Sequence, residues 1–191
     1  MPPASDRDKW DSKHASKDHY GPASKMLQRL LPYLPKEGNA IDLGGGRGRH
    51  SILLAQHGLS VTCADISPVA LSHADQAAEL ESLQINTLEI DLEDTGMPDG
   101  PWDVVISFLF LWRPLNPEII ESLSADGVLV IVQPTETNLQ RHSKPPQRFL
   151  LENGELPDLV GDLGVLHYEE GWLEDGRHDA VIVCRKPKAT E

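Results

Sequence analysis

Basic charge is short in this chain. Its 17 Lys and Arg stand against 30 Asp and Glu, a net charge of −13 over 191 residues. That balance excludes the electrostatic footprint a nucleic-acid partner requires, and it disfavours an anionic membrane surface as well. Cysteine is scarcer still, with 2 in the chain. Cys63 and Cys184 stand alone in apolar runs, with no C-x-x-C pair, so they supply no metal framework and read as small core hydrophobes in a reducing compartment. No histidine shows metal-ligand spacing, and no metal is expected. No apolar run approaches the roughly 20 residues of a membrane span, and the first residues are polar rather than signal-like. The cytosol is therefore the expected compartment. Internal repeats and low-complexity stretches are absent.

Glycine is concentrated in one place. Ala40-Ile41-Asp42-Leu43-Gly44-Gly45-Gly46-Arg47-Gly48-Arg49-His50 runs from a short apolar strand through a glycine turn into a helix that continues from Ser51. Strand, glycine turn and helix together form a nucleotide-type cradle: glycine lets the backbone approach a ligand closely, and the helix start aims free N–H groups over the turn. A dinucleotide fingerprint fits this run poorly. In G-x-G-x-x-G register from Gly44 the third small residue is Arg49, and from Gly46 it is Ser51. The pattern acid-x-Gly-x-Gly-x-Gly fits without strain as Asp42, Gly44, Gly46 and Gly48. About twenty residues on, Asp65 ends the next strand, where an acid can accept both hydroxyls of a ribose. Ser67 is the better helix cap there, and Pro68 sits harmlessly in the first turn.

Strand-like and helix-like segments alternate along the rest. Met26, Leu27, Leu30 and Leu31 mark a helical face over Ser24–Leu34. Strands are expected at Leu59–Ala64, Ile85–Ile90, Trp102–Leu109, Val128–Val132, Val165–Trp172 and Asp179–Arg185. Helices are expected from Ser67 and over Asn116–Leu123, with a short broken one over Phe149–Val160. This alternation predicts an α/β fold, a mostly parallel sheet with helices on both faces and one antiparallel strand near the C-terminus. Residues 1–22 read as an arm or lid, 23–187 as the domain, and 188–191 as a disordered tail.

The glycine run resembles the first motif of class I S-adenosylmethionine-dependent methyltransferases, and a Rossmann-like seven-stranded sheet is what that resemblance implies. S-adenosyl-L-methionine is then the expected cofactor. Asp42 would lie near the amino end of its methionine and the backbone of Gly44, Gly45, Gly46 and Gly48 under its sugar. His50 would stand beside the methionine end, Asp65 on the ribose and Ile66 on the adenine face. Asp91 would meet the adenine amino group, with the Leu92 backbone reading the ring. Phe108, at the end of the fourth strand, completes the cofactor-binding set. No Asn-Pro-Pro-Tyr segment follows that strand and no Pro-Cys pair is present, so planar-amide, adenine and cytosine methylation lose support.

Four further stretches narrow the resemblance. Trp10-Asp11, Asp65-Ile66-Ser67-Pro68-Val69-Ala70-Leu71, Phe110-Leu111-Trp112-Arg113-Pro114-Leu115 and Leu166-His167-Tyr168-Glu169-Glu170-Gly171 are similar to the tellurite-resistance-type small methyltransferases. The chain departs from that group at Trp112, where histidine is commoner, and at Gln133-Pro134-Thr135, where a Glu-aromatic pattern is usual. The resemblance implies methyl transfer to a small-molecule acceptor by in-line displacement. The alternatives are a non-catalytic S-adenosylmethionine-binding regulatory protein and an NAD-dependent oxidoreductase, the latter disfavoured by Arg49 and by the lack of a Tyr-x-x-x-Lys pattern. Candidates for a catalytic group are Arg113, His142 and His14, beside Trp10, His19 and Tyr20 of the arm. Arg141, His142, Lys144 and Arg148 form the one basic cluster, which suits a small anionic acceptor if it overhangs the cofactor. Oligomeric state is not legible.

Overall fold

The computed structural model describes residues 6–15 and 21–188, and its contacts gather into two compact units, Met1–Gly96 and Met97–Glu191. In the first unit, helix α1 (Asp6–Ala15) and helix α2 (Lys25–Leu30) precede strand β1 (Asn39–Leu43). Helix α3 (Arg49–His57), strand β2 (Ser60–Asp65), helix α4 (Pro68–Leu80) and strand β3 (Asn86–Glu89) follow. β1, β2 and β3 pair in parallel, Ile41 against Thr62 and Ala64 against Leu88. Parallel strands need a crossover, and α3 and α4 supply it. Each helix begins for a local reason. Gly48, at φ +77°, ends the glycine turn ahead of α3, and the Ser67 hydroxyl accepts the Ala70 N–H ahead of α4.

The second unit holds strand β4 (Trp102–Phe108), helix α5 (Asn116–Ser122), strand β5 (Leu123–Pro134), the short helix α6 (Leu156–Leu159), and strands β6 (Gly164–Trp172) and β7 (His178–Arg185). β4 and β5 are parallel, while β7 runs antiparallel to both β5 and β6. The sheet has seven strands in the order β3-β2-β1-β4-β5-β7-β6, so a single strand, β7, runs against its neighbours. The expected α/β sheet with one reversed strand near the C-terminus is present. Val104–Phe108, Val128–Val132 and Ala180–Cys184 are buried throughout, as continuous apolar strands should be when both faces are covered.

Local expectations needed correction where proline or a turn intervenes. The helix read over Ser24–Leu34 stops at Leu30 and tightens into a 3₁₀ turn at Leu31–Tyr33, because Pro32 has no N–H for an α-helical bond. β5 starts five residues earlier than the apolar run, at Leu123. The broken helix of 149–160 is a 3₁₀ turn at Gln147–Phe149 and then α6 alone. Of the arm, 6–15 is helical; the tail, apart from Lys188, lies outside the described residues, as do His19 and Tyr20. No described helix is long and apolar enough to cross a membrane. Both cysteines are free and buried.

Candidate functional site

The C-terminal ends of β1 and β2 carry the two acids of the cradle. Asp42 is 1% exposed, and its Oδ2 accepts the Ser51 hydroxyl at 2.7 Å from the first turn of α3. Burial pushes its carboxyl from 3.8 up to about 7, against the pull of the Ser51 hydrogen bond. Asp65 is 8% exposed and spans the turn: Oδ2 accepts the Gly46 N–H at 2.8 Å and Oδ1 the Ser67 N–H at 2.9 Å. Its carboxyl is raised by burial, opposed by those backbone N–H groups, and raised again by the neighbouring Asp11 carboxylate.

The glycines of the turn have different jobs. A Cβ on Gly45 would stand 2.6 Å from Cys63 Sγ and 3.0 Å from Asp42; one on Gly48 would stand 2.7 Å from the Ala74 Cβ of α4. Those two are small because the core and the α3–α4 packing leave no room. Gly48 thus does, one place early, what the third glycine of a dinucleotide fingerprint does. Over Gly46 the first contact is the His14 ring, at 3.5 Å from a notional Cβ, and Asp65 Oδ2 is 4.0 Å from the same point. The face of the turn that the core leaves open is therefore at Gly46, and the His14 ring covers it.

The other expected residues divide. Ile66, half-buried, directly follows Asp65; Leu92 is buried. Asp91 lies beyond β3, and its Oδ1 accepts the Glu93 N–H at 3.0 Å, capping its own loop. His50 is buried, and its Nε2 accepts the Ser24 N–H at 3.4 Å, tying α3 to the start of α2. In the second unit Phe108 is buried at the end of β4, followed by Leu109 with φ +63°, a left-handed backbone that a branched residue rarely adopts. Sequence patterning carries no signal for that conformation.

Arg113 does not stand free for a substrate. Its guanidinium forks onto both oxygens of Glu155, with Nη2 to Oε2 at 2.7 Å, and Nη2 also donates to the Leu150 carbonyl at 3.0 Å. The hydrogen bond holds the Glu155 carboxyl below its ordinary value and Arg113 above its own. The basic cluster is likewise engaged with its neighbours. Arg141 lies 3.7 Å over the Trp172 ring, Arg148 lies 4.5 Å over Phe149, and His142 Nε2 is 2.8 Å from the Gly176 carbonyl oxygen. Gln133 is 1% exposed; its Nε2 donates to the Phe149 carbonyl at 2.5 Å and its Oε1 has no hydrogen-bond partner among the described residues. Trp112 is exposed.

Sequence reading missed the use made of α1. It packs on α4; the Ser67 hydroxyl donates to Asp11 Oδ1 at 2.5 Å, and Arg7 pairs with Glu89 at the end of β3. Fifty-six residues separate Asp11 from Ser67, a distance no local pattern bridges. The Trp10-Asp11 pair was the one hint.

Residues 40–126 match the family described as "Methyltransferase domain". The chain is similar to TehB of Haemophilus influenzae, 28% identical over 141 residues that cover 70% of this chain and 49% of TehB. The chain thus spans about half the length of that relative. The crystal structure of TehB from Haemophilus influenzae superposes with a TM-score of 0.69 at 24% identity, covering 94% of this chain and 66% of the other. A TehB-like S-adenosylmethionine-dependent methyltransferase from Corynebacterium glutamicum gives 0.64 at 21% identity, covering 94% and 95%. Residues 40–126 thus resemble a methyltransferase domain, and the seven-stranded sheet shares the fold of the TehB structures.

Proposed function

We propose that the protein transfers a methyl group from S-adenosyl-L-methionine to a small-molecule acceptor. One observation carries the reading: Asp65, nearly buried, is fixed by the N–H groups of Gly46 and Ser67 beside the open face of the glycine turn. A carboxylate offers about four acceptor sites, so the Gly46 and Ser67 N–H groups leave capacity for a further donor. That suits a vicinal diol. The residues fit the cofactor: Asp65 would take the ribose hydroxyls, the Gly44–Gly46 backbone would leave room for the sugar, and Asp42 would face the methionine end. Ile66, Asp91 and Leu92 are proposed for the adenine, with Phe108 and His50 as further members of the set. A bound sulfonium supplies a methyl group with a good leaving group. The chain's own task is then to hold donor and acceptor in line and keep water out, an alignment that contributes on the order of 7–11 kcal/mol in favourable cases.

The acceptor is proposed as a small molecule because the chain is strongly acidic and lacks both polymer-type motifs. Arg113 is held by Glu155, while Arg141, Lys144 and Arg148 are exposed. No general base is assigned; His142 stays as a candidate. The cytosol remains the proposed compartment.

Calorimetric titration with S-adenosylmethionine, S-adenosylhomocysteine and NAD tests the cofactor. Binding of the first two without NAD is expected, and binding of NAD alone would sink the reading. Asp65→Ala should weaken S-adenosylhomocysteine binding by about 1–3 kcal/mol, because the hydroxyls lose a charged acceptor; unchanged affinity removes Asp65 from the site. Methyl-transfer assays over small thiols, oxyanions and amines separate an enzyme from a binding protein.

A further inference from the structure

We infer that helix α1 is a displaceable plug of the cofactor cradle, and that His14 is the side chain the cofactor must expel. The inference rests on the proposed cofactor. The open face of the glycine turn is filled by the chain itself. His14 Cε1 lies 3.5 Å, and Nε2 3.9 Å, from where a Cβ of Gly46 would stand, the spacing of ordinary van der Waals contact. The same point is 4.0 Å from Asp65 Oδ2. A sugar reaching Asp65 across Gly46 needs the layer of space that this imidazole occupies, and two groups cannot share it.

The fastening of α1 suits a part that leaves. None of its residues is fully buried. Beside its packing on α4, its contacts include the Ser67–Asp11 hydrogen bond and the Arg7–Glu89 ion pair, whose side chains are 45% and 44% exposed. Exposed pairs of this kind contribute little. Three of its contacts fall on the cradle or its rim: Gly46 in the turn, Ser67 two residues beyond Asp65, and Glu89 two before Asp91. Docked α1 also brings the Asp11 carboxylate near Asp65, and that repulsion disfavours the ionised form which accepts hydroxyls best. α1 therefore opposes the ligand twice, by volume and by charge, and both effects vanish when it lifts.

A site blocked for part of the time binds with an affinity reduced by the fraction that is open. His14→Ala and Asp11→Asn should each tighten S-adenosylhomocysteine binding, by roughly 3- to 10-fold, with faster association in stopped flow. Asp11→Asn keeps an acceptor for Ser67 and removes the charge, so α4 stays capped; circular dichroism checks that both variants are folded. The wild-type protein provides a second readout. Saturating S-adenosylhomocysteine should speed tryptic cleavage after Lys9 and Lys13 by several-fold, because the helix is expelled. Protection of those bonds, or weaker binding by His14→Ala, would show that α1 closes over the ligand and would overturn the plug while leaving the cofactor reading intact. Failure of the wild type to bind S-adenosylhomocysteine at all would overturn the cofactor reading, and the plug with it.

Discussion

Asp42 and Asp65 show how the same side chain, on neighbouring strands, is given different chemistry by its surroundings. Asp65 is met by backbone N–H groups, whereas Asp42 has the Ser51 hydroxyl and deep burial. With its folded carboxyl at about 7 and its unfolded one near 3.8, Asp42 binds a proton in the folded chain that the unfolded chain lacks between those values. Its contribution to stability is therefore complete below about pH 4 and is lost as pH rises through 7, by up to about 4 kcal/mol. Thermal melts across that window should show stability falling with pH, and Asp42→Asn should flatten the slope. Asp179, buried on β7 and raised to about 6, has the same sign and leaves a residual slope. An unchanged slope in Asp42→Asn would exonerate Asp42. At this scale the glycine turn was legible, since Asp42, Gly46 and Asp65 sit where spacing put them. The division of labour among the glycines was not: whether Gly45 or Gly48 is small for a ligand or for Cys63 and Ala74 depends on residues 18 and 26 positions away.

Elements are fastened by contacts that their own sequences do not announce. Arg113, read as a candidate for substrate, instead anchors the connection between β4 and α5 to Glu155 and the Leu150 carbonyl. Arg113→Ala should cost about 1–2 kcal/mol in a denaturant melt, the worth of a charge-assisted pair partly open to solvent. Because Glu155 is depressed below its ordinary 4.5, the pair's contribution is present above that value and disappears as pH falls through the lowered one. A variant as stable as wild type would return Arg113 to the candidates for substrate. Helix starts were readable where a local device makes them, as with Ser67 and Pro68 ahead of α4. Helix ends and strand starts were less so. Pro32 turns the last residues of the first apolar face into a 3₁₀ turn, and β5 reaches back through Asp126, Ala125 and Ser124, which carry no apolar run, to pair Leu123 with Trp102.

For the whole molecule, charge sets an expectation independent of the site. A net charge of −13 repels itself in the compact state, and salt screens that repulsion. Raising NaCl from about 10 mM to 150 mM should stabilise the fold by about 1 kcal/mol, a rise of roughly 2–4 °C in Tm; a fall would mean that attractive pairs dominate. The strand sequence was legible because alternating apolar runs and helical faces are local, and the α/β class with one reversed strand followed from them. What the sequence by itself determined is the glycine turn, the acids at its strand ends and the alternation of elements, since each depends on neighbours within a few residues or on backbone stereochemistry. Only the tertiary structure decided that Arg113 belongs to Glu155, that Asp42 leans on Ser51 deep in the core, and that His14 and Asp11 of α1 stand over Gly46 and Ser67. Most of those pairings join residues tens of positions apart, and only packing brings them within reach.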